Sequence, residues 1–278
     1  MGNKILLVIM DGVGYDTAVS QCGYLEGLVE LGRAKRWKMR AALPTISAAM
    51  YETIHSGLSP IDHGVTGNEA LRPSIVPNIF QSLHNQHFKT AAVAHSYFHT
   101  LYNGPYDLFD HIEVEDETKN IQYGRFYSME GYNGTNICAP AEIDLCAQAS
   151  LLINRHAPDY LLLHSSSVDS LGHRYTADSS QYRIQTWRID NALARGIPRW
   201  LEAGYEIIVT ADHGMNADGH HGGAEDIMRN VAFYYIGQGN ITAKPDSLLD
   251  QLAIAPSVLQ RLGATIPDSM KATPLFAK

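Results

Sequence analysis

Lys4-Ile5-Leu6-Leu7-Val8-Ile9-Met10, followed at once by Asp11-Gly12, is the stretch on which the fold turns. An unbroken apolar run of this length reads as a strand buried on both faces, and such strands belong to parallel sheets. Asp11 then stands at the strand's carboxyl edge. Outward from this stretch the same texture returns at 90–94, 160–164, 207–211 and 231–236. Between these runs lie segments of helical period. The clearest is 181–201, where Ile184, Trp187, Leu193, Ile197 and Trp200 are expected to share one buried face. Alternation of this kind predicts an α/β fold with a mostly parallel central sheet and helices on both faces. Ligands of such sheets bind beyond the carboxyl ends of the strands. Gly12-Val13-Gly14 lacks the third glycine of a dinucleotide fingerprint and follows an aspartate, so it is set aside.

With 278 residues, 45% of them apolar, the chain is long enough to be a single domain over 1–278. The segment at about 95–135 differs in texture, being rich in Tyr, Asn, Gly and acidic residues. It is expected to form a small irregular cap excursion above the sheet. Either it is a plain surface loop, or it is a substrate-facing wall built with Tyr123, Arg125, Phe126 and Tyr127. A formal charge of -8 argues against a nucleic-acid-binding surface. The one basic cluster, Arg33-Ala34-Lys35-Arg36-Trp37-Lys38-Met39-Arg40, reads as a solvated helix face. Cys22, Cys138 and Cys146 form no CxxC pair, which suggests reduced thiols. No apolar stretch is long enough for a membrane span and no export signal is evident, so the expectation is a cytoplasmic protein. Nothing in the sequence speaks to oligomeric state.

The chemistry gathers around Leu43-Pro44-Thr45-Ile46-Ser47-Ala48-Ala49-Met50. Ser47 is expected near the N-cap of a helix over 47–55 that Ser56-Gly57 ends, and a helix N-terminus favours negative charge, whether an alkoxide or a phosphate. This makes Ser47 the candidate nucleophile. Asp and His recur where strands should end: Asp11; Asp169 and His173; Asp212 and His213; His220 and His221. Carboxylate oxygens and imidazole nitrogens suit zinc, manganese or another divalent ion, and their number suffices for two sites. Two ions about 4 Å apart can clamp the attacking and leaving oxygens of an in-line displacement at phosphorus.

Together these motifs resemble the alkaline phosphatase superfamily, and within it the type I phosphodiesterase/nucleotide pyrophosphatase branch; they are also similar to phosphonoacetate hydrolase. Asp11-Gly12 resembles the family's first ligand motif. Pro44-Thr45-Ile46-Ser47 is similar to its Pro-Thr-x-Thr nucleophile motif, with Ser in the last place. His63-Gly64-Val65-Thr66-Gly67-Asn68 resembles His-Gly-Ile-x-x-Asn, whose asparagine contacts a phosphoryl oxygen. Asp169-x-x-x-His173, Asp212-His213 and His221-Gly222-Gly223 resemble the remaining ligand motifs. The stretch from Ile254-Ala255-Pro256 through Leu262-Gly263, Pro267 and Met270 is similar to the family's C-terminal helix and turn, with Ala272 where Gly is usual.

The resemblance implies one ion, Zn2+ or Mn2+, held by Asp169, His173 and His221, and a second held by Asp11, Asp212, His213 and Ser47. His220 competes for the last imidazole, and the family's His-Gly order favours His221. It further implies a metal-dependent hydrolase of phosphodiester or nucleotide pyrophosphate bonds working through a phosphoseryl intermediate. Asn68 and the backbone amide after Ser47 would stabilise the non-bridging oxygens. The substrate would be a small-molecule phosphate ester, nucleotide or phosphonate. A phosphomonoesterase or phosphonate hydrolase is the alternative, because Ser replaces the usual Thr. A non-catalytic binding protein is the third reading. A monoester would call for an added cation, for which Arg72, Arg125 and Arg174 are candidates. The Cys/Ser-x-Pro-x-Arg motif of sulfatases is absent around Ser47.

Overall fold

Nine strands build one sheet in the computed structural model, which describes residues 3–129, 140–244 and 246–277. They are β1 (Lys4–Met10), β2 (Lys35–Arg40), β3 (Thr90–His95), β4 (Glu113–Glu115), β5 (Tyr123–Tyr127), β6 (Tyr160–Ser165), β7 (Tyr205–Thr210), β8 (Asn230–Ile236) and β9 (Leu248–Asp250). Their order is β4-β5-β3-β6-β1-β7-β8-β2-β9. The five strands β5, β3, β6, β1 and β7 run parallel, whereas β4 and β8 oppose their neighbours. The sheet is mostly parallel, as its apolar runs predict. β1 is central, and its residues from Ile5 to Met10 are buried. Fully burying a side chain of that size stabilises the fold by about 1.5–3 kcal/mol, so the row anchors the domain.

Register does the positioning. Ile9 pairs with Thr210 on β7 and Met10 pairs with Ser165 on β6. Continued one or two residues past the strand ends, this alignment brings Asp11 level with Asp212 and beside the Ser167–Tyr175 helix that follows β6. Gly12 makes the approach possible: its φ is +77°, and an added Cβ would lie 2.9 Å from the Asp169 Cα.

Helices cover both faces. Glu142–His156 and Ser180–Glu202 pack together on one, while Ser47–Ser56, Ile79–Asn85, Ser96–Tyr102 and Ile254–Leu262 form the group on the other. All ten residues of Ser47–Ser56 are buried, polar ones included. Those polar groups are satisfied: Tyr102 donates to Glu52 at 2.9 Å, Ser56 Oγ donates to the Glu52 carbonyl at 2.6 Å, and His55 bridges the Tyr51 carbonyl and the Tyr160 hydroxyl. Gly57, with φ +65°, ends the helix in a left-handed cap.

Three expectations need correction. The basic cluster is not a helix face: Lys35–Arg40 is β2, where Trp37 and Met39 turn inward and the charges alternate outward. The segment at 95–135 is not an excursion above the sheet, because Tyr123–Tyr127 pairs with β3 as a parallel strand and Glu113–Glu115 extends the edge. Its last residues, like Cys138, lie outside the described residues. On the long helix Ser180–Glu202, Ile184 and Trp187 are about half exposed; the buried stripe runs through Tyr182, Thr186, Ile189, Leu193, Ile197 and Trp200. Ser47 does stand near the helix start, as expected: Ile46 is the N-cap, with no side-chain bond, and Ser47 is the first helical residue. No helix among the described residues is long and apolar enough to cross a membrane.

Candidate metal centre and nucleophile

At the carboxyl ends of β1, β6 and β7 three acidic and three imidazole side chains converge. Asp169 and His173 occupy i and i+4 of the Ser167–Tyr175 helix and so share a face, with His173 Nε2 3.4 Å from Asp169 Oδ1. His221 arrives on the loop after β7, its Nε2 3.0 Å from His173 Nε2 and 3.4 Å from Asp169 Oδ1. Beside this trio, His213 Nε2 lies 3.5 Å from Asp11 Oδ1 and 3.2 Å from Asp212 Oδ2. Ser47 Oγ completes the second group, 3.2 Å from His213 Nε2. The two groups adjoin, since the rings of His213 and His221 stack with centroids 3.8 Å apart. His220 is exposed and is held instead by its backbone, which donates to Asn216.

The tautomers show what these atoms can hold. Nδ1 of His173, His213 and His221 faces the carbonyl of Gly219, Gly214 and Thr45 at 2.9, 3.0 and 2.7 Å. A carbonyl only accepts, so each Nδ1 carries the proton and each neutral ring presents a bare Nε2 to the cluster. Asp11 Oδ1, Asp169 Oδ1 and Asp212 Oδ2 are buried there without a hydrogen-bond partner. Apart from the Ser47 hydroxyl, which can donate to His213 Nε2, and any proton the carboxyls take up, lone pairs therefore meet lone pairs. Such an array is costly unless a cation fills it, so the residues fit divalent ions.

Electrostatics agree. Burial, reinforced by the Asp11 charge, raises the carboxyls of Asp169 and Asp212 well above the usual range. Burial would raise Asp11 as well, but His164, His213 and Tyr51 beside it bring it below the usual carboxylate range. Burial also depresses His213 to about 3 and lowers His221, keeping both rings neutral and their lone pairs available. A bound cation would reverse the penalty on the carboxylates.

The nucleophile motif is built into this cluster. Thr45 Oγ1 accepts from Gly222 N at 2.9 Å and donates to the Gly223 carbonyl at 3.0 Å, and the Thr45 carbonyl orients His221. The motif's threonine thus docks the loop that carries the candidate ligand His221. Asn68 opens a 3-10 turn and is exposed, and its Oδ1 accepts from Ala48 N at 3.1 Å. Of the added cations considered, Arg125 is committed to Glu113 and Glu115 at 2.7 and 3.0 Å on the sheet edge. Arg72 reaches the His63 carbonyl at 3.4 Å, and Arg174 lies over the Tyr175 ring.

Two neighbours escaped the sequence reading. Tyr51, one turn after Ser47, donates to Asp11 Oδ2, and buried His164 stands 3.3 Å from that same oxygen. The i+4 spacing of Tyr51 from Ser47 was the available signal; His164, last in an apolar run, gave none.

A family model described as type I phosphodiesterase / nucleotide pyrophosphatase matches residues 5–255. The chain is 24% identical over 243 residues to GPI ethanolamine phosphate transferase 2 of Candida albicans, covering 84% of this chain and 26% of that protein. It is 30% identical over 123 residues to a 2,3-bisphosphoglycerate-independent phosphoglycerate mutase of a Shewanella species, covering 42% and 23%. It thus spans about a quarter of the length of these relatives. Among solved structures, murine ectonucleotide pyrophosphatase / phosphodiesterase 5 aligns with a TM-score of 0.68 at 13% identity, over 95% of this chain and 96% of that one. Phosphonoacetate hydrolase from Sinorhizobium meliloti aligns at 0.54 with 19% identity, over 76% and 56%.

Proposed function

This chain belongs to the type I phosphodiesterase / nucleotide pyrophosphatase family, and from that premise we propose that it hydrolyses phosphodiester or nucleotide pyrophosphate bonds through a phosphoserine on Ser47. The observation that carries the reading is the convergence of three bare imidazole nitrogens and three unpartnered carboxylate oxygens beside the Ser47 hydroxyl. Asp169, His173 and His221 would hold one ion, and Asp11, Asp212, His213 and Ser47 a second, with zinc the first choice and manganese the next. Bound there, the ions supply positive charge that lowers the Ser47 pKa and offsets charge on the phosphoryl group.

The chain's own residues do the rest. Ser47 Oγ attacks phosphorus in line, forming an O–P bond as the bond to the leaving oxygen breaks. The amide of Asn68 donates to a non-bridging oxygen through Nδ2, since its Oδ1 is engaged by Ala48 N. Water then cleaves the phosphoserine, and two inversions leave the configuration at phosphorus retained. A neutral donor with Arg125 and Arg72 engaged elsewhere favours a singly charged diester over a dianionic monoester.

The test is kcat/KM for bis-p-nitrophenyl phosphate, a nucleotide p-nitrophenyl ester, p-nitrophenyl phosphate and phosphonoacetate, with zinc and manganese in turn. The two diesters are expected to be turned over fastest. A lead for the monoester or for phosphonoacetate would replace this reading with the alternative. Two bound ions with no turnover of any substrate would make the chain a binding protein.

A further inference from the structure

The Asp11 carboxylate has two sides. Oδ1 faces the ligand cluster and has no hydrogen-bond partner, whereas Oδ2 accepts from the Tyr51 hydroxyl and lies 3.3 Å from His164 Nε2. His164 is wholly buried at the end of β6, the strand beside β1. Its other nitrogen, Nδ1, is 2.9 Å from the hydroxyl of Tyr127, which ends β5. Were Nδ1 to carry the proton, a bare Nε2 would face the Asp11 carboxylate across a dry contact, lone pair against charge. Nε2 is buried with no other partner and faces a carboxylate oxygen, which places the proton on Nε2 toward Asp11 Oδ2. The Tyr127 hydroxyl then shares its one proton between Nδ1 and the His164 carbonyl, 3.2 Å away.

We propose that His164 is a positioning residue for the metal centre: its Nε2–H, with Tyr127 against Nδ1, pins Asp11 Oδ2 so that Oδ1 is presented to the ion that Asp11, Asp212 and His213 would share. Ligating carboxylates are commonly held by an outer hydrogen bond of this kind, and losing such a partner typically costs 10–100-fold in metal affinity. Tyr51 holds the same oxygen from the nucleophile helix, so Asp11 is gripped from both neighbouring elements. The inference rests on the two-ion reading above, and the experiment separates the two.

Zinc is titrated into metal-free protein by chelator competition, resolving two binding steps, for the wild type and for His164→Leu, His164→Gln and Tyr127→Phe. Leucine keeps the bulk and removes the donor; glutamine keeps an N–H donor. His164→Leu is expected to weaken one step by roughly 10–100-fold and leave the other unchanged. His164→Gln should restore most of the loss, and Tyr127→Phe should weaken the same step by less. Equal weakening of both steps, equal loss in the Leu and Gln variants, or no change would overturn the proposal. If the leucine variant does not fold, Tyr127→Phe decides alone, and an unaffected step then counts against it. A third equivalent of zinc that disappears with His164 would make it a ligand instead. Wild-type protein that takes up no zinc would overturn the metal reading as well as this one.

Discussion

Asn68 Oδ1 accepts the backbone N–H of Ala48 at 3.1 Å, and because an N–H can only donate, the Asn68 NH2 group is turned to the opposite side. The Ala48 amide, expected from sequence to be a second donor to the phosphoryl group, is thereby engaged in aiming the first. Asn68→Ala should lower kcat by about 10²–10³-fold with little change in KM, the usual loss for one transition-state donor. Asn68→Asp keeps the acceptor for Ala48 and loses the NH2, so it should melt like wild type and be no more active than the alanine variant. Steady-state kinetics with thermal melts check both; a rise in KM alone would reduce Asn68 to ground-state binding.

Ser47→Ala should abolish turnover while most metal stays bound, since the hydroxyl is one ligand among seven. Its hydroxyl caps nothing, so the fold should hold. Metal content and activity on the preferred diester are the measurements. Activity within about tenfold of wild type would transfer the attack to a water molecule.

His221→Ala should weaken zinc binding by at least about 10²-fold, exceeding the loss typical of an outer partner. His220→Ala should leave it unchanged, because His220 is exposed and only its backbone is tied down. Equal losses would reassign the ligand.

Burial raises the Glu52 carboxyl from its ordinary 4.5 to about 7, against the opposing hydrogen bonds from Ser74 and Tyr102. For an acid whose folded pKa is raised, the stabilising contribution is complete below pH 4.5 and is lost as pH rises through 7. That loss is on the order of 3 kcal/mol. Glu52→Gln should match wild type near pH 4.5 and exceed its stability at pH 8, as read from urea midpoints across that range. Parallel pH profiles for the two proteins would refute the shift.

The parallel core was legible because β1, β3, β6 and β7 are apolar runs, buried on both faces, that no helical period explains. β2 was not, since its charges drew attention from the alternation of Trp37 and Met39, which is the signal a half-buried strand leaves. β5 was hidden in a Tyr- and Gly-rich segment whose place is set by pairing with β3, a long-range contact that no local pattern reports. At the site, the acidic and imidazole residues were readable from their recurrence at strand ends, and the structure brings Asp11, Ser47, Asp169, His173, Asp212, His213 and His221 together. Of the groups that hold them, Thr45 was legible only as part of the nucleophile motif and Tyr127 only as a wall residue, while Tyr51 and His164 were not legible at all, because tyrosine and histidine in a core are ordinary occupants until their partners are known.

The hydrogen bond from Gly12 N to Asp212 Oδ1 spans 200 residues of sequence. On the ribosome, then, Asp11 and Ser47 emerge long before Asp212, His213 and His221 exist to meet them. Whatever the early strands do meanwhile, no cation can be fully enclosed until residue 221 has been made. Loading with metal at this site would accordingly be a late act of biogenesis, and a nascent chain arrested before Asp212 should bind zinc no better than an unstructured peptide of similar composition.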